Sequence, residues 1–263
     1  MTIYLCLILL LLNLYFIYFL NKKKIKKFFY KSNIQEIGVS KINTIFDLKI
    51  ISQNLKGPKR DAIIKSFCIP PENNIVGMTS DYEAWIISNL SKISKNIFEF
   101  GTCSGKTTYL MALNSNKDAK ITTLTLKSDE TSKLKIKSKD NKVSYRNMIN
   151  ESIYDKFLFS GEEVSSKIEV IFENSMMFNH HKYKNMIDLI FIDGGHTYSV
   201  VKNDSEKSFE MLSENGVILW HDYVPGKKSA NDVVRYLNEV SRQKKILNIK
   251  NTSLCFYKKI SIF

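Results

Sequence analysis

The sequence predicts an α/β fold built on a doubly wound, mostly parallel sheet, with an apolar helix at its N-terminus. Three observations lead there. From residue 96 onward short apolar runs alternate with amphipathic segments, the pattern of successive β-α units. The run Ile187–Ile192 is apolar enough to be covered on both faces, as a central parallel strand is. The stretch Ile3–Leu20 is apolar except for Asn13 and stops at Lys22. A chain of 263 residues with 44% hydrophobic content is long enough for one good-sized domain plus a short appendage.

The elements follow in order. Ile3 to Leu20 as a helix spans about 27 Å at 1.5 Å per residue, near the thickness of a bilayer core. No basic start precedes it and no small-residue cleavage site follows, so an uncleaved single-pass membrane anchor over residues 1–21 is expected. The cluster Lys22, Lys23, Lys24, Lys26, Lys27 and Lys31 suits anionic lipid headgroups and places the bulk of the chain on the cytoplasmic side. Residues 22–79 read as a basic juxtamembrane segment and connector, interrupted by Pro58, Pro70 and Pro71. Ser80 or Asp81 caps a helix to Ser91, with Tyr82, Trp85, Ile86 and Leu90 on one face.

The main domain is expected over residues 80–263. Its strands are Asn96–Phe100, Ile121–Leu126, Lys167–Phe172, Ile187–Ile192 and Gly216–Trp220; its helices are Ser104–Asn114, Tyr198–Leu212 and Ala230–Val240. Residues 127–166 form a polar excursion, part loop and part helix, and residues 245–258 read as two strands paired around Asn251. In such a sheet ligands bind at the carboxyl ends of the strands, so the loops after Phe100, Leu126, Phe172, Ile192 and Trp220 hold the site.

The net charge of +13 is spread along the chain, apart from the six clustered lysines. A dedicated nucleic-acid binder concentrates basic residues and aromatics on one face, and no such binding is expected. Cys6, Cys68, Cys103 and Cys255 lie at neither metal-ligand nor redox spacing and suggest no disulfide framework. His180 and His181 read as surface polar residues without a partner at ligand spacing.

Two regions carry chemistry. In Phe98-Glu99-Phe100-Gly101-Thr102-Cys103-Ser104-Gly105-Lys106-Thr107-Thr108 a strand enters a glycine turn and then a helix, whose free N–H groups suit a carboxylate or phosphate. A Walker A loop needs four residues between its glycines; three separate Gly101 from Gly105, although Lys106 and Thr107 follow in the right places. The spacing fits E-x-G-x-x-x-G fully. In the second region Asp193 ends one strand and Gly194-Gly195 delivers His196, while the neighbouring strand delivers His221 and Asp222. Two carboxylates with imidazole nearby suit a divalent ion such as Mg²⁺ at Asp193, His221 and Asp222. His196 is the candidate general base and Asp193 its catalytic partner.

The run from Phe191 to Tyr223, FIDGGHTYSVVKNDSEKSFEMLSENGVILWHDY, with EFGTCSGKTT before it, resembles class I S-adenosylmethionine-dependent methyltransferases of the macrocin O-methyltransferase and cephalosporin-hydroxylase-like group. The resemblance covers about residues 80–258. It implies a Rossmann-like seven-stranded sheet whose last strand is antiparallel. It implies S-adenosylmethionine as cofactor, held by Glu99, Gly101, Thr102, Gly105, Thr125, Asn174, Ser175 and Asp193. In sugar-methylating relatives an aspartate and a histidine three residues on supply a Mg²⁺ ligand and the base, and Asp193 and His196 match that spacing. The acidic pair that completes the metal site there is His221-Asp222 here. Thr125 stands where similar proteins have the ribose-binding aspartate, with Asp129 or Glu130 as candidates to replace it; Asn174-Ser175 stands for Asp-Ser. The implied activity is O-methylation of a hydroxyl on a sugar, glycan or small metabolite. A P-loop-like NTPase, or a catalytically degenerate membrane-anchored binding domain, are the alternatives.

Overall fold

The computed structural model of the protein describes residues 2–29, 32, 34–46, 59–70 and 79–259. Helix α1 covers Thr2–Phe29, strand β1 Gln35–Ile37 and helix α2 Val39–Ile45. Then come α3 (Asp81–Lys92), β2 (Asn96–Phe100), α4 (Lys106–Asn114), β3 (Lys120–Thr125), α5 (Lys142–Glu151) and β4 (Ile168–Phe172). The chain continues through β5 (Ile187–Ile192), α6 (Tyr198–Met211), β6 (Leu212–Trp220), α7 (Asn231–Val240), β7 (Leu247–Ile249) and β8 (Cys255–Lys258).

Among the described residues eight strands form one sheet, in the order β1-β7-β8-β6-β5-β2-β3-β4. The chain winds outward twice from β2, first through β3 and β4, then through β5 and β6. The crevice at this reversal, between β2 and β5, is where an α/β sheet holds its ligand. β8 runs antiparallel between β6 and β7. The paired strands expected around Asn251 are β7 and β8, with Leu247 opposite Phe256 and Asn251 at φ 66° in the turn.

The strands alternate their side chains between two apolar layers. Phe98, Phe100, Ile190, Ile192, Ile218 and Trp220 pack with α6 and α7, through Val201, Met211, Val233 and Leu237. Ile97, Ile121, Leu189, Phe191, Val217 and Leu219 pack with Ile42, Ile86, Leu90 and Met111 of α2, α3 and α4. Coverage of both faces explains the uninterrupted apolar character of β5.

Three expectations are corrected. The sheet has eight strands rather than seven: β1 comes from the supposed connector and pairs parallel with β7. Three residues are too few to show a period, yet Ile37, Ile42 and Phe46 are buried. Helix α4 begins at Lys106, because Gly105 takes a left-handed φ of 79° and caps it.

The third correction concerns residues 1–21. A helix forms there, but among the described residues no helix is long and apolar enough to cross a membrane. The described side chains of α1 lie between Tyr4 and Asn21. They include two polar amides, Asn13 and Asn21, each donating to a backbone carbonyl one turn earlier. The transmembrane helix, and with it the single-pass membrane localisation with a cytoplasmic domain, is not supported. The lysine side chains from Lys22 to Lys31, and Pro58 and Pro71, lie outside the described residues.

Candidate active site

The sheet ladder sets the site. Phe100 stands opposite Ile192, and Ile192 opposite Trp220. The ladder extends one step beyond these residues: Asp193 N–H donates to Phe100 O at 2.9 Å and His221 N–H to Ile192 O at 3.1 Å. Gly101, Asp193 and His221 are therefore side by side at the carboxyl edge, although the last two are 28 positions apart in sequence.

Gly101 has φ 97°, and a β-carbon there would lie 2.5 Å from Gly194 Cα. Its lack of a side chain lets the loops after β2 and β5 touch. A β-carbon on Gly105 would meet the ring of Phe159 and the Cβ of Phe157. Both glycines serve loop packing.

A small cleft opens beside them, at the carboxyl ends of β2, β3, β4 and β5. Gly101, Thr125, Asn174, Ser175 and Asp193 line it. Leu124, Leu126, Leu134 and Met148 supply apolar walls. Glu99, Thr102 and Gly105 are not on its surface. Glu99 lies 1% exposed behind the loop, accepting from the Thr108 hydroxyl and, at 2.6 Å, from Thr123. Burial dominates its ionisation and pushes it up to about 8, against those two bonds. Its Oε1 is buried without a hydrogen bond. Thr102 bonds Thr123 at 2.7 Å.

Asp129 and Glu130 do not line the cleft; Glu151, Glu173 and Asp204 do. The side-chain oxygen of Asn174 accepts from Met176 N–H at 3.0 Å, which holds the loop after β4. Burial raises Asp204 to about 6, against contacts with Asn203 and Ser175.

Asp193, His196 and Asp222 bring ligand atoms within 4.8 Å of one another. His196 Nε2 lies 3.1 Å from Asp222 Oδ2 and 3.7 Å from Asp193 Oδ1. His221 Nδ1 lies 3.1 Å from Asp193 Oδ1 and 3.5 Å from Asp222 Oδ2, while its Nε2 faces Glu83 Oε2 at 3.6 Å. Asp222 takes φ 58°, a backbone region sparsely used outside glycine that aims its carboxylate at both imidazoles.

These contacts are at ion-pair distance, yet His196 Nε2 and both ring nitrogens of His221 are buried without an aligned hydrogen bond. Attraction here is by charge. Burial pulls His196 down, but Asp193, Asp222 and Glu151 outweigh it and lift the imidazole to about 9. His221 is likewise held well above its ordinary value by Asp193, Asp222 and Glu83, against burial. Burial favours protonation of Asp222, but His221 and His196 hold it well below the usual carboxylate range. Asp193 moves down for the same reason.

Sequence reasoning missed Glu83. It is the third residue of α3, closing a capping box with Ser80, and its Oε1 accepts from Ser253 N–H at 2.6 Å. The Ser80-x-x-Glu83 spacing signals the cap; that the same carboxylate reaches His221 follows only from the fold. Glu151, at the end of α5, was hidden in the polar excursion. Lys106 and Thr107, the P-loop candidates, turn to Thr79: Lys106 Nζ donates to its carbonyl at 3.5 Å and Thr107 meets its hydroxyl at 3.3 Å.

Residues 98–223 match the family described as "Methyltransferase domain". A methyltransferase from Podospora anserina, solved with S-adenosylhomocysteine bound, is 14% identical with a TM-score of 0.50, over 69% of this chain and 79% of that one. A protein from Corynebacterium glutamicum is 9% identical with a TM-score of 0.50, over 73% and 87%. A putative caffeoyl-CoA O-methyltransferase from Staphylococcus aureus is 18% identical with a TM-score of 0.49, over 71% and 87%. No curated protein matches the sequence.

Proposed function

We propose that the protein is a class I, S-adenosylmethionine-dependent methyltransferase, a reading supported by the match of residues 98–223 to a methyltransferase domain, and that it methylates a hydroxyl on a sugar, glycan or small metabolite, with His196 as the base. One observation carries the reading: Asp193, His196 and Asp222 converge at the edge of the cleft that Gly101, Thr125, Asn174 and Ser175 line.

The residues present fit the cofactor. The apolar walls Leu124, Leu126 and Leu134 suit an adenine ring, and the acids Glu151, Glu173 and Asp193 suit its ammonium and hydroxyl groups. When bound, S-adenosylmethionine supplies an electrophilic methyl group.

The residues also fit a divalent ion. Asp193 and Asp222 give hard oxygen donors, and the buried ring nitrogens of His196 and His221 lack aligned hydrogen bonds. Such an ion, when bound, lowers the proton affinity of a nearby hydroxyl. The protein's own contribution is to place the acceptor oxygen beside His196 Nε2 and to take its proton there. Asp193 and Asp222 stabilise the imidazolium that results.

Calorimetric titration of S-adenosylmethionine, with and without Mg²⁺ and with ATP in parallel, tests this. Micromolar binding of the methyl donor with none of ATP supports the reading. Binding of neither overturns it in favour of a degenerate domain; binding of ATP alone overturns it in favour of the NTPase.

A further inference from the structure

The pair His180-His181, which the sequence leaves without a partner, acquires one in the fold. The chain between β4 and β5 turns so that His180 Nε2 lies 3.1 Å from Glu210 Oε2, in the last turn of α6. The rings of His180 and His181 are 5.0 Å apart and inclined by 27°. One ligand atom from each of His180, His181 and Glu210 lies within 4.8 Å of the other two. This cluster shares no residue with the cleft.

We propose that His180, His181 and Glu210 form a second metal site, for a late transition-metal ion such as Zn²⁺, that clasps the β4–β5 loop to α6. Two imidazoles and one carboxylate suit Zn²⁺ better than Mg²⁺, which demands oxygen ligands. Three protein ligands leave the fourth tetrahedral position to water. Tetrahedral bonds near 2.05 Å put ligand atoms about 3.4 Å apart. The pair His180–Glu210 already meets that spacing. His181 and Glu210 are exposed, so rotation about their side-chain bonds closes the remaining gap.

The placement gives the ion a purpose. The loop it would hold begins with Asn174-Ser175 on the cleft wall. Residues of α6 already grip this loop: Asn203 Nδ2 donates to Ser175 O at 3.0 Å, and Lys207 Nζ donates to Ser175 O and, at 2.9 Å, to Phe178 O. The backbone of Asn185 donates to Glu210 O at 3.0 Å. An ion on Glu210 would extend this line of contacts and stiffen the wall that faces the cofactor.

The test uses the full chain and Zn²⁺ itself. Calorimetric titration is run on the wild type, Asp222→Asn, His180→Ala and Glu210→Gln, and thermal unfolding is followed with and without Zn²⁺. Asp222→Asn is included because the cluster at Asp193, His196 and Asp222 also offers metal ligands. The expected result is a Zn²⁺ equivalent that survives Asp222→Asn but weakens at least about tenfold in His180→Ala and in Glu210→Gln. At a hundredfold excess over Kd it should raise the Tm of Asp222→Asn by about 5 °C, and that of Asp222→Asn/His180→Ala by much less. Equal Zn²⁺ binding and equal Tm shifts with and without His180 would overturn the proposal and leave His180–Glu210 an ordinary surface pair.

Discussion

His196 Nε2 and Asp222 Oδ2 stand 3.1 Å apart, though they are carried on the loops of two different strands. The contact makes His196 an imidazolium at neutral pH, because Asp193, Asp222 and Glu151 hold its pKa near 9 against burial. A base must first lose its proton. In EDTA, the methyl-transfer rate should therefore rise with pH and level off only above about 9. With Mg²⁺ the rise should move to lower pH, since a cation on the carboxylates offsets the charge that holds the proton. His196→Ala should lose about 10²–10⁴-fold in kcat and flatten the profile. A wild-type EDTA profile with its midpoint at 6.5 would contradict this charge balance.

Glu83 links the site to stability. Burial favours its neutral form, but His221, the Ser253 N–H and the Ser80 and Ser253 hydroxyls hold it far below its ordinary 4.5. A depressed carboxylate stabilises the fold above its unfolded pKa and loses that contribution as pH falls. Glu83→Gln should cost about 1.5–3 kcal/mol at pH 7, the range for hydrogen bonds to a charged group. The difference from wild type should shrink as pH drops below about 4.5. Urea unfolding at pH 7 and pH 4 measures it; an equal loss at both would assign Glu83 a packing role alone.

Glu99 has the opposite sign. Burial pushes it to about 8, above an ordinary 4.5. The full stability of its protonated form is present below 4.5 and is lost as pH rises through 8. Glu99→Gln keeps the shape and cannot ionise. The variant should therefore gain on the wild type between pH 6 and 9 when both are unfolded in urea. A difference that stays constant over that range would show that Glu99 is already ionised at pH 6.

Much of this was legible in the sequence, for physical reasons that differ by element. Strand β5 announces itself because both its faces are buried, and Asp193 and His196 follow from where it ends. Asp222 and His221 follow from the apolar second half of β6, Gly216–Trp220. Strand β1 left no trace, since Gln35–Ile37 buries only Ile37. Glu83 looked like a helix cap because it is one; its second role depends on Ser253 and His221, both far away in sequence. Glu210 became the partner of His180 only through the packing of α6 against the β4–β5 loop. The run Ile3–Leu20 was read as a span from its apolar length, but among the described residues no helix is long and apolar enough to cross a membrane.

Thr125 offers the sharpest trial of how the cleft holds its ligand. It lies at the carboxyl end of β3, on the cleft wall, and its hydroxyl cannot accept two ribose hydrogen bonds in the way a carboxylate does. Asp129 and Glu130 are off the wall, so the substitution is not offset from there. Thr125→Asp should tighten S-adenosylhomocysteine about tenfold, which corresponds to about 1.4 kcal/mol, within the range for one hydrogen bond to a charged acceptor. Calorimetry reads this directly. Weaker binding would mean that the new charge is repelled by Glu173, which sits beside it on the wall and would then be the residue that already receives the ribose. Glu173→Gln separates these cases: it should leave binding unchanged if Thr125 is the deficit, and abolish it if Glu173 is the acceptor.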